Sequence, residues 1–189
     1  MRRFAFVVLI CALCAGGLAA RAQVVASATR GQISLTAGGL GSVFQTDYAG
    51  YGVPETSPYR TYGVGAYVDF KLTRWIQLEA EGRWIRFNPY IGITQDNYLL
   101  GPRLPIHHFR ILRATPYGKA LVGLGNMTFE YNDAHGRFTD VALGGGVDMQ
   151  LTKRISIRAI DFEYQLWPNW VNGTLKPYGA SVGVGYKIF

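Results

Sequence analysis

Beyond residue 22 the chain has no cysteine; its two thiols, Cys11 and Cys14, both fall in an apolar leader. Disulfides and thiol chemistry are thereby excluded from the rest. Charge is scarce too, with Asp, Glu, Lys and Arg making up 16% against a usual share of about 25%. Past the leader no run of 18 apolar residues occurs, so no ordinary membrane-spanning helix is present. Histidine is limited to His107, His108 and His135. Aromatic residues, at 14%, and glycine, with 24 copies, are abundant instead. Aromatic richness excludes disorder, and so much glycine argues against a helical fold.

The leader has the order of a secretory signal peptide: Arg2 and Arg3, an uncharged stretch from Phe4 to Ala20, then Ala20-Arg21-Ala22 before Gln23. Residues 1–22 are expected to be removed, leaving a barrel domain over 23–189. Ile10 and Leu13 precede the cysteines where a lipoprotein signal would need a small residue. Three of the 19 basic residues lie in the leader, so the formal charge falls from +7 to +4. That is too mild to argue for nucleic acid as a partner.

What remains alternates. Tyr62, Val64, Ala66, Val68, Phe70 and Leu72 are apolar at every second position, and Ile76 to Trp84 and Tyr178 to Ile188 repeat the pattern. A period of two means β-strands with one apolar and one polar face. Eight such segments are predicted, near 31–44, 60–72, 75–87, 98–106, 112–125, 139–151, 155–167 and 177–189. Tight turns at 73–74 and 152–154 contrast with long connections at 45–59, 88–97, 126–138 and 168–176, as an up-and-down antiparallel meander requires. Val68 to Leu78 recurs as Val147 to Ile157, a strand, a tight basic turn and a strand.

Which face is buried decides the fold class. The polar face carries Asp69, Lys71, Glu79, Glu81, Arg83, Arg103, Lys119, Asp140, Asp148, Arg158, Asp161 and Glu163. The apolar face carries aliphatic residues with aromatics toward the strand ends. Tyr62 to Phe70, like Tyr178 to Tyr186, spans eight residues, on the order of 20 Å along the axis of a tilted barrel. An apolar band between two aromatic girdles marks a transmembrane barrel with its polar face inward. A soluble antiparallel sandwich, the alternative, leaves aromatics at both edges of one face unexplained. The predicted fold is therefore all-β, an eight-stranded antiparallel up-and-down transmembrane β-barrel.

Over residues 31–189 the chain resembles the small eight-stranded outer-membrane barrels of the OmpA-like and OmpX-like kind. The resemblance rests on Ala20-Arg21-Ala22, on Thr115-Pro116-Tyr117-Gly118-Lys119-Ala120-Leu121-Val122-Gly123-Leu124-Gly125, and on Gly183-Val184-Gly185-Tyr186-Lys187-Ile188-Phe189. It implies localisation in the outer membrane of a Gram-negative envelope, with the termini on the periplasmic side. It also makes Tyr186 and Phe189 the signal read by the barrel-assembly machinery during biogenesis. Lys187 stands where the family usually has an aromatic residue. No peptidoglycan-binding domain is expected after Phe189.

Eight strands leave an interior just wide enough to be filled by side chains. Glu79, Glu81, Arg83, Arg103, Lys119, Arg158, Asp161 and Glu163 are expected to form a structural charge network there, because buried like charges need compensation. Glu79/Glu81 and Asp161/Glu163 are also spaced as acid–base pairs. Salt-bridge structure is the stronger reading of them. Seven inward acids face five inward bases, Lys71 among the latter. Gly144-Gly145-Gly146 lacks the helix and the Lys-Ser/Thr pair of a phosphate loop. His107 and His108 would point to opposite faces of a strand, a poor metal pair. The serine that follows the histidine in lipid A deacylases is absent, its places being Phe109, Arg110 and Arg137. Asn126-Met127-Thr128 and Asn172-Gly173-Thr174 match glycosylation sequons by chance. Trp84, Trp167 and Trp170 gather near the long-loop end, with Tyr48, Tyr51 and Tyr59 in the first loop; Trp84 is assigned to interfacial anchoring. The expectation is a non-enzymatic, monomeric barrel without cofactor or metal, in contact with outer-membrane lipid, structural or interacting with a surface ligand through its long loops. A small-solute or ion channel is the alternative, and a lipid-modifying barrel enzyme the third reading. A bulge is predicted within 158–160, where both faces of the seventh segment jump by one residue.

Overall fold

The structure, a computed structural model, describes residues 33–46, 60–87, 93–106, 114–129, 134–170 and 173–189. The leader, the first-loop tyrosines, His107, His108 and Asn172 lie outside the described residues, as does the side chain of His135.

The strands are β1 (Ser34–Gln45), β2 (Arg60–Lys71), β3 (Gln77–Phe87), β4 (Ile93–Pro105), β5 (Ala114–Phe129), β6 (Ala134–Gln150), β7 (Ile155–Trp170), β8 (Gly173–Leu175) and β9 (Tyr178–Lys187). Sequential neighbours from β1 to β7 pair antiparallel, and β9 bridges β7 and β1 to close the cylinder. Among the described residues β8 pairs with the end of β7, Leu175 with Trp167 and Gly173 with Trp170. The barrel itself thus has eight strands. Closure satisfies every ladder without leaving an edge, the condition for a sheet to exist in hydrocarbon.

Alternation runs as the sequence implies. On β2, Tyr62, Val64 and Val68 are exposed while Thr61, Tyr67 and Asp69 are buried. On β9, Val182 and Val184 lie outside and Ser181 inside. The exposed aliphatic belt includes Leu100, Val122, Leu124, Leu143 and Ile160. Above it stand Tyr62, Tyr98, Tyr164 and Tyr178, and toward the termini Trp75, Tyr186 and Phe189, all exposed. In water such a surface would be an aggregation hazard; in lipid it is the correct outer wall.

Both tight turns use one device, which accounts for the internal repeat. Thr73 Oγ1 accepts hydrogen bonds from the backbone N–H of Trp75 and Ile76 at 3.2 and 3.0 Å. Thr152 Oγ1 does the same for Arg154 and Ile155 at 3.2 and 2.9 Å. At the C-terminus, Ile188 N–H donates to Leu35 O at 2.8 Å and Leu35 N–H to Phe189 O at 3.3 Å, so the last residues continue the seam with β1. Tyr186 and Phe189 both face outward there.

The predicted bulge is present. Val147 pairs with Ile160 but Asp148 with Arg158, and on the other side Arg158 pairs with Gly183 but Asp161 with Ser181. Ala159 is the extra residue. It returns Asp161 and Glu163, each 0% exposed, to the interior.

At the other end β4, β5, β6 and β7 run further than their alternation indicates. The connections expected at 88–97 and 126–138 are strand over 93–97, 126–129 and 134–138. Above the upper tyrosines the outward positions carry Asp96, Asn126, Thr128 and Arg137. A wall that has left the hydrocarbon no longer needs apolar residues, so the period of two fades while the ladder continues.

Candidate functional site

The interior is layered. Its middle is a charge network that gathers all eight expected residues. Lys119, on β5, reaches across the lumen to four carboxylates: Asp161 at 2.6 Å, Glu163 at 3.0 Å, Glu81 at 3.1 Å and Glu79 at 3.2 Å. Arg158, held by the bulge, contacts Glu79 at 3.0 Å, Asp69 at 3.1 Å and Asp161 at 3.3 Å. Arg83 forks onto Glu163 through Nη1 at 2.6 Å and Nη2 at 3.0 Å, and its Nε meets Glu81. Arg103 joins Asp148 at 2.5 Å to Asp69 and Glu79, each at 3.2 Å. Three of these guanidinium groups also lie over rings: Arg103 over Tyr117 at 3.6 Å, Arg158 over Tyr67 at 3.8 Å and Arg83 over Phe44 at 4.8 Å. Such stacking partly replaces lost hydration.

The strand pattern makes this possible. Residues two apart share a face, which stacks Glu79, Glu81 and Arg83 on β3 and, after the bulge, Asp161, Glu163 and Gln165 on β7. Inward glycines leave the room: a Cβ on Gly65 would meet the Arg83 stem at 3.1 Å and one on Gly144 that of Lys119 at 3.3 Å, and the neighbouring rings are accommodated in the same way. A Cβ on Gly185 would meet the Tyr67 hydroxyl at 2.5 Å and Ser156 Oγ at 2.9 Å. One on Gly125 would meet the Trp167 ring at 2.5 Å.

Toward the loops an amide layer follows, invisible to sequence reasoning because single amides carry no motif. Asn97 donates to Asp140 at 2.5 Å and to Gln165 at 3.3 Å, while Gln95 donates to Asn97 at 2.9 Å. Gln165 donates back to Glu163 at 2.8 Å, linking this layer to the charges. The top is a lid of apolar side chains: Phe44, Ile85, Met127, Trp167 and Leu175 are each 0–1% exposed. Phe138 lies 5.8 Å from Trp167 and 4.6 Å from Trp170, centroid to centroid. Trp167 and Trp170 thus cap the lumen, in contrast to Trp84, whose Nε1 donates outside to Tyr98 at 3.1 Å. Trp84 alone of the three has the interfacial position.

One of the five inward bases stands apart from this network. Lys71 points toward the turn-end mouth, and no ion pair involves it among the described residues. Asp148 is likewise only part-buried, so six buried carboxylates stand against four buried cations, the same excess of two that the polar face carries.

Chemically the arrangement holds rather than reacts. Carboxylate oxygens of Glu79, Glu81 and Asp161 lie within 4.8 Å of one another, a spacing that suits a metal ion. The Lys119 ammonium already contacts all three, at 3.2, 3.1 and 2.6 Å, and takes the place of a cation. The buried hydroxyls of Ser42 and Ser181 bond each other at 2.8 Å. The acid–base spacing noted in the sequence is real, but each of its carboxylates is locked by at least one cation.

Residues 10–187 match the family described as outer membrane protein beta-barrel domain. Among solved structures, Neisserial surface protein A aligns with a TM-score of 0.62 at 10% identity, over 83% of this chain and 97% of its own. The N-terminal β-barrel domain of OprF from Pseudomonas aeruginosa gives 0.56 at 16%, over 83% and 100%. The outer membrane protein OprG from the same organism gives 0.52 at 13%, over 83% and 96%. Identities this low speak to the fold alone. No curated protein matches the chain.

Proposed function

The chain belongs to the outer membrane protein β-barrel domain family, and we propose that in the outer membrane it serves as a sealed, monomeric, non-enzymatic barrel with a structural or surface-interaction role. The observation that carries this reading is the filled lumen. Lys119 and three arginines knit the carboxylates of four strands, β2, β3, β6 and β7, into one cluster, and Phe138, Trp167 and Trp170 cover it. Moving a solute through would require breaking ion pairs buried on both sides, each break costing about 3–5 kcal/mol. With the interior so used, contacts with other molecules fall to the loops and to the lipid-facing wall. The leader would direct export and be removed after Ala22, and Tyr186 and Phe189 would present the C-terminal strand to the assembly machinery.

A small-solute or ion channel is the second reading. It is favoured by the surplus of acids over bases inside, a condition that attracts cations. Lipid vesicles containing the folded protein separate the two. Swelling in isotonic small sugars or amino acids at the rate of protein-free vesicles is expected, and rapid swelling would overturn the sealed reading. A deletion strain tested for detergent sensitivity and vesicle release would then assign the envelope role; intact envelope properties would argue against a structural one.

A further inference from the structure

The turn end of the barrel opens into a vestibule of about 270 Å³, roofed by Asp69, Arg103 and Tyr117 of the charge network. We propose that it is a binding site for a phosphate-bearing anion. Its wall carries Lys71, Lys153, Arg154 and Lys187 beside Arg103, against the two acids Asp69 and Asp148. Those acids are already engaged from above. Arg103 holds Asp148 at 2.5 Å and Asp69 at 3.2 Å, and Arg158 holds Asp69 at 3.1 Å. Among the described residues no carboxylate is paired with Lys71, Lys153 or Lys187, and Arg154 spends one N–H on the Tyr186 hydroxyl at 3.0 Å. A concave, low-dielectric wall with surplus positive charge focuses its field on the space inside.

The neutral lining agrees. Ser34, Thr36, Thr115 and Ser156 bring hydroxyls to the same cavity, and each can donate to an oxyanion. Three of the four cations at the mouth are lysines. They act as point charges toward a tetrahedral oxyanion, whereas a planar carboxylate is best held by an arginine fork. The volume falls just below the ~300–1,000 Å³ of small-molecule sites, which suits a phosphate with a small substituent. The two tight turns differ here. Arg74 of the β2–β3 turn lies over Trp75 at 4.8 Å, while Lys153 and Arg154 of the β6–β7 turn line the vestibule. Lys71 and Lys187 adjoin Phe70 and Tyr186 of the outer wall, so a lipid headgroup and a free phosphate can both reach the mouth.

The test uses the folded barrel in an uncharged maltoside detergent at 150 mM sodium chloride. Inorganic phosphate and short-chain phosphatidylglycerol are titrated separately, with calorimetry and the amide resonances of residues 71, 153, 156 and 187 as readouts. Saturable one-to-one binding is expected, at least tenfold weaker in Lys71→Gln/Lys187→Gln and unchanged in Lys176→Gln, a control outside the vestibule. Binding of inorganic phosphate assigns a free anion, and binding of phosphatidylglycerol alone assigns the headgroup. If the double variant does not fold, Lys153→Gln in the exposed turn is read instead, with at least a threefold loss expected. Binding of neither probe, wild-type affinity in the variant, or an equal loss in Lys176→Gln would overturn the proposal.

Discussion

Replacing Lys119 with methionine keeps the unbranched stem of the side chain and removes its terminal ammonium, and with it one charge, from the centre of the barrel. Four carboxylates lose a contact of 2.6–3.2 Å. They are not all abandoned: Arg158 still reaches Glu79 and Asp161, and Arg83 still reaches Glu81 and Glu163. Breaking a buried pair by deleting one partner costs about 3–5 kcal/mol. A second route limits the loss, because one carboxylate can take up a proton instead. From a reference pKa near 4.3, at about 1.4 kcal/mol per unit, that costs about 3–4 kcal/mol at pH 7 and about 1 kcal/mol at pH 5. The expected destabilisation is therefore about 3 kcal/mol at pH 7, shrinking to about 1 kcal/mol at pH 5. Urea unfolding from lipid vesicles, followed by tryptophan fluorescence, measures both. Adding Glu81→Gln should restore part of the loss, a coupling that a double-mutant cycle reads directly. A loss under about 1 kcal/mol at pH 7, or one equal at the two pH values, would refute charge compensation as the role of Lys119.

Deleting Ala159 should abolish folding into vesicles, since without the extra residue Asp161 and Glu163 would turn toward lipid; heat-modifiable gel mobility at the wild-type level would contradict this. Arg158→Ala should destabilise by about 3–5 kcal/mol, whereas Arg86→Ala, which breaks the exposed pair with Asp96 at 2.9 Å, should leave the urea midpoint close to that of the wild type. Equal midpoints in urea would show that burial does not set the value of these pairs. N-terminal sequencing of the protein from outer membranes should begin at Gln23, and a sequence starting at Met1 would remove the signal-peptide reading.

Much of this barrel was legible because a strand in lipid obeys a strict period of two. Tyr62 to Leu72 and Tyr178 to Ile188 declared both their faces, and the phase jump at Ala159 declared the bulge. The eight network residues were legible as inward positions. Their pairing was not, because Arg83 and Glu163 lie 80 residues apart in the chain and meet only when the cylinder closes. Lys71 was counted among the inward bases because phase gives a face and not a depth; at the last turn the same face opens to water. The upper strand ends were read as loops because Asp96, Asn126 and Arg137 point outward above the hydrocarbon, where nothing enforces an apolar wall. Trp167 shares the phase of Asp161, Glu163 and Gln165, a signal that the grouping of the three tryptophans at the long-loop end passed over. The preference of tryptophan for the interface argued the other way, and packing against Phe138 decided it.

Single-channel recording in planar bilayers tests the sealed lumen most directly. The wild-type barrel, inserted at low density in symmetric potassium chloride, should give little or no steady conductance if Lys119 and its four carboxylates seal the lumen as proposed. Large, regular current steps from the wild-type protein would contradict that and make the barrel a pore.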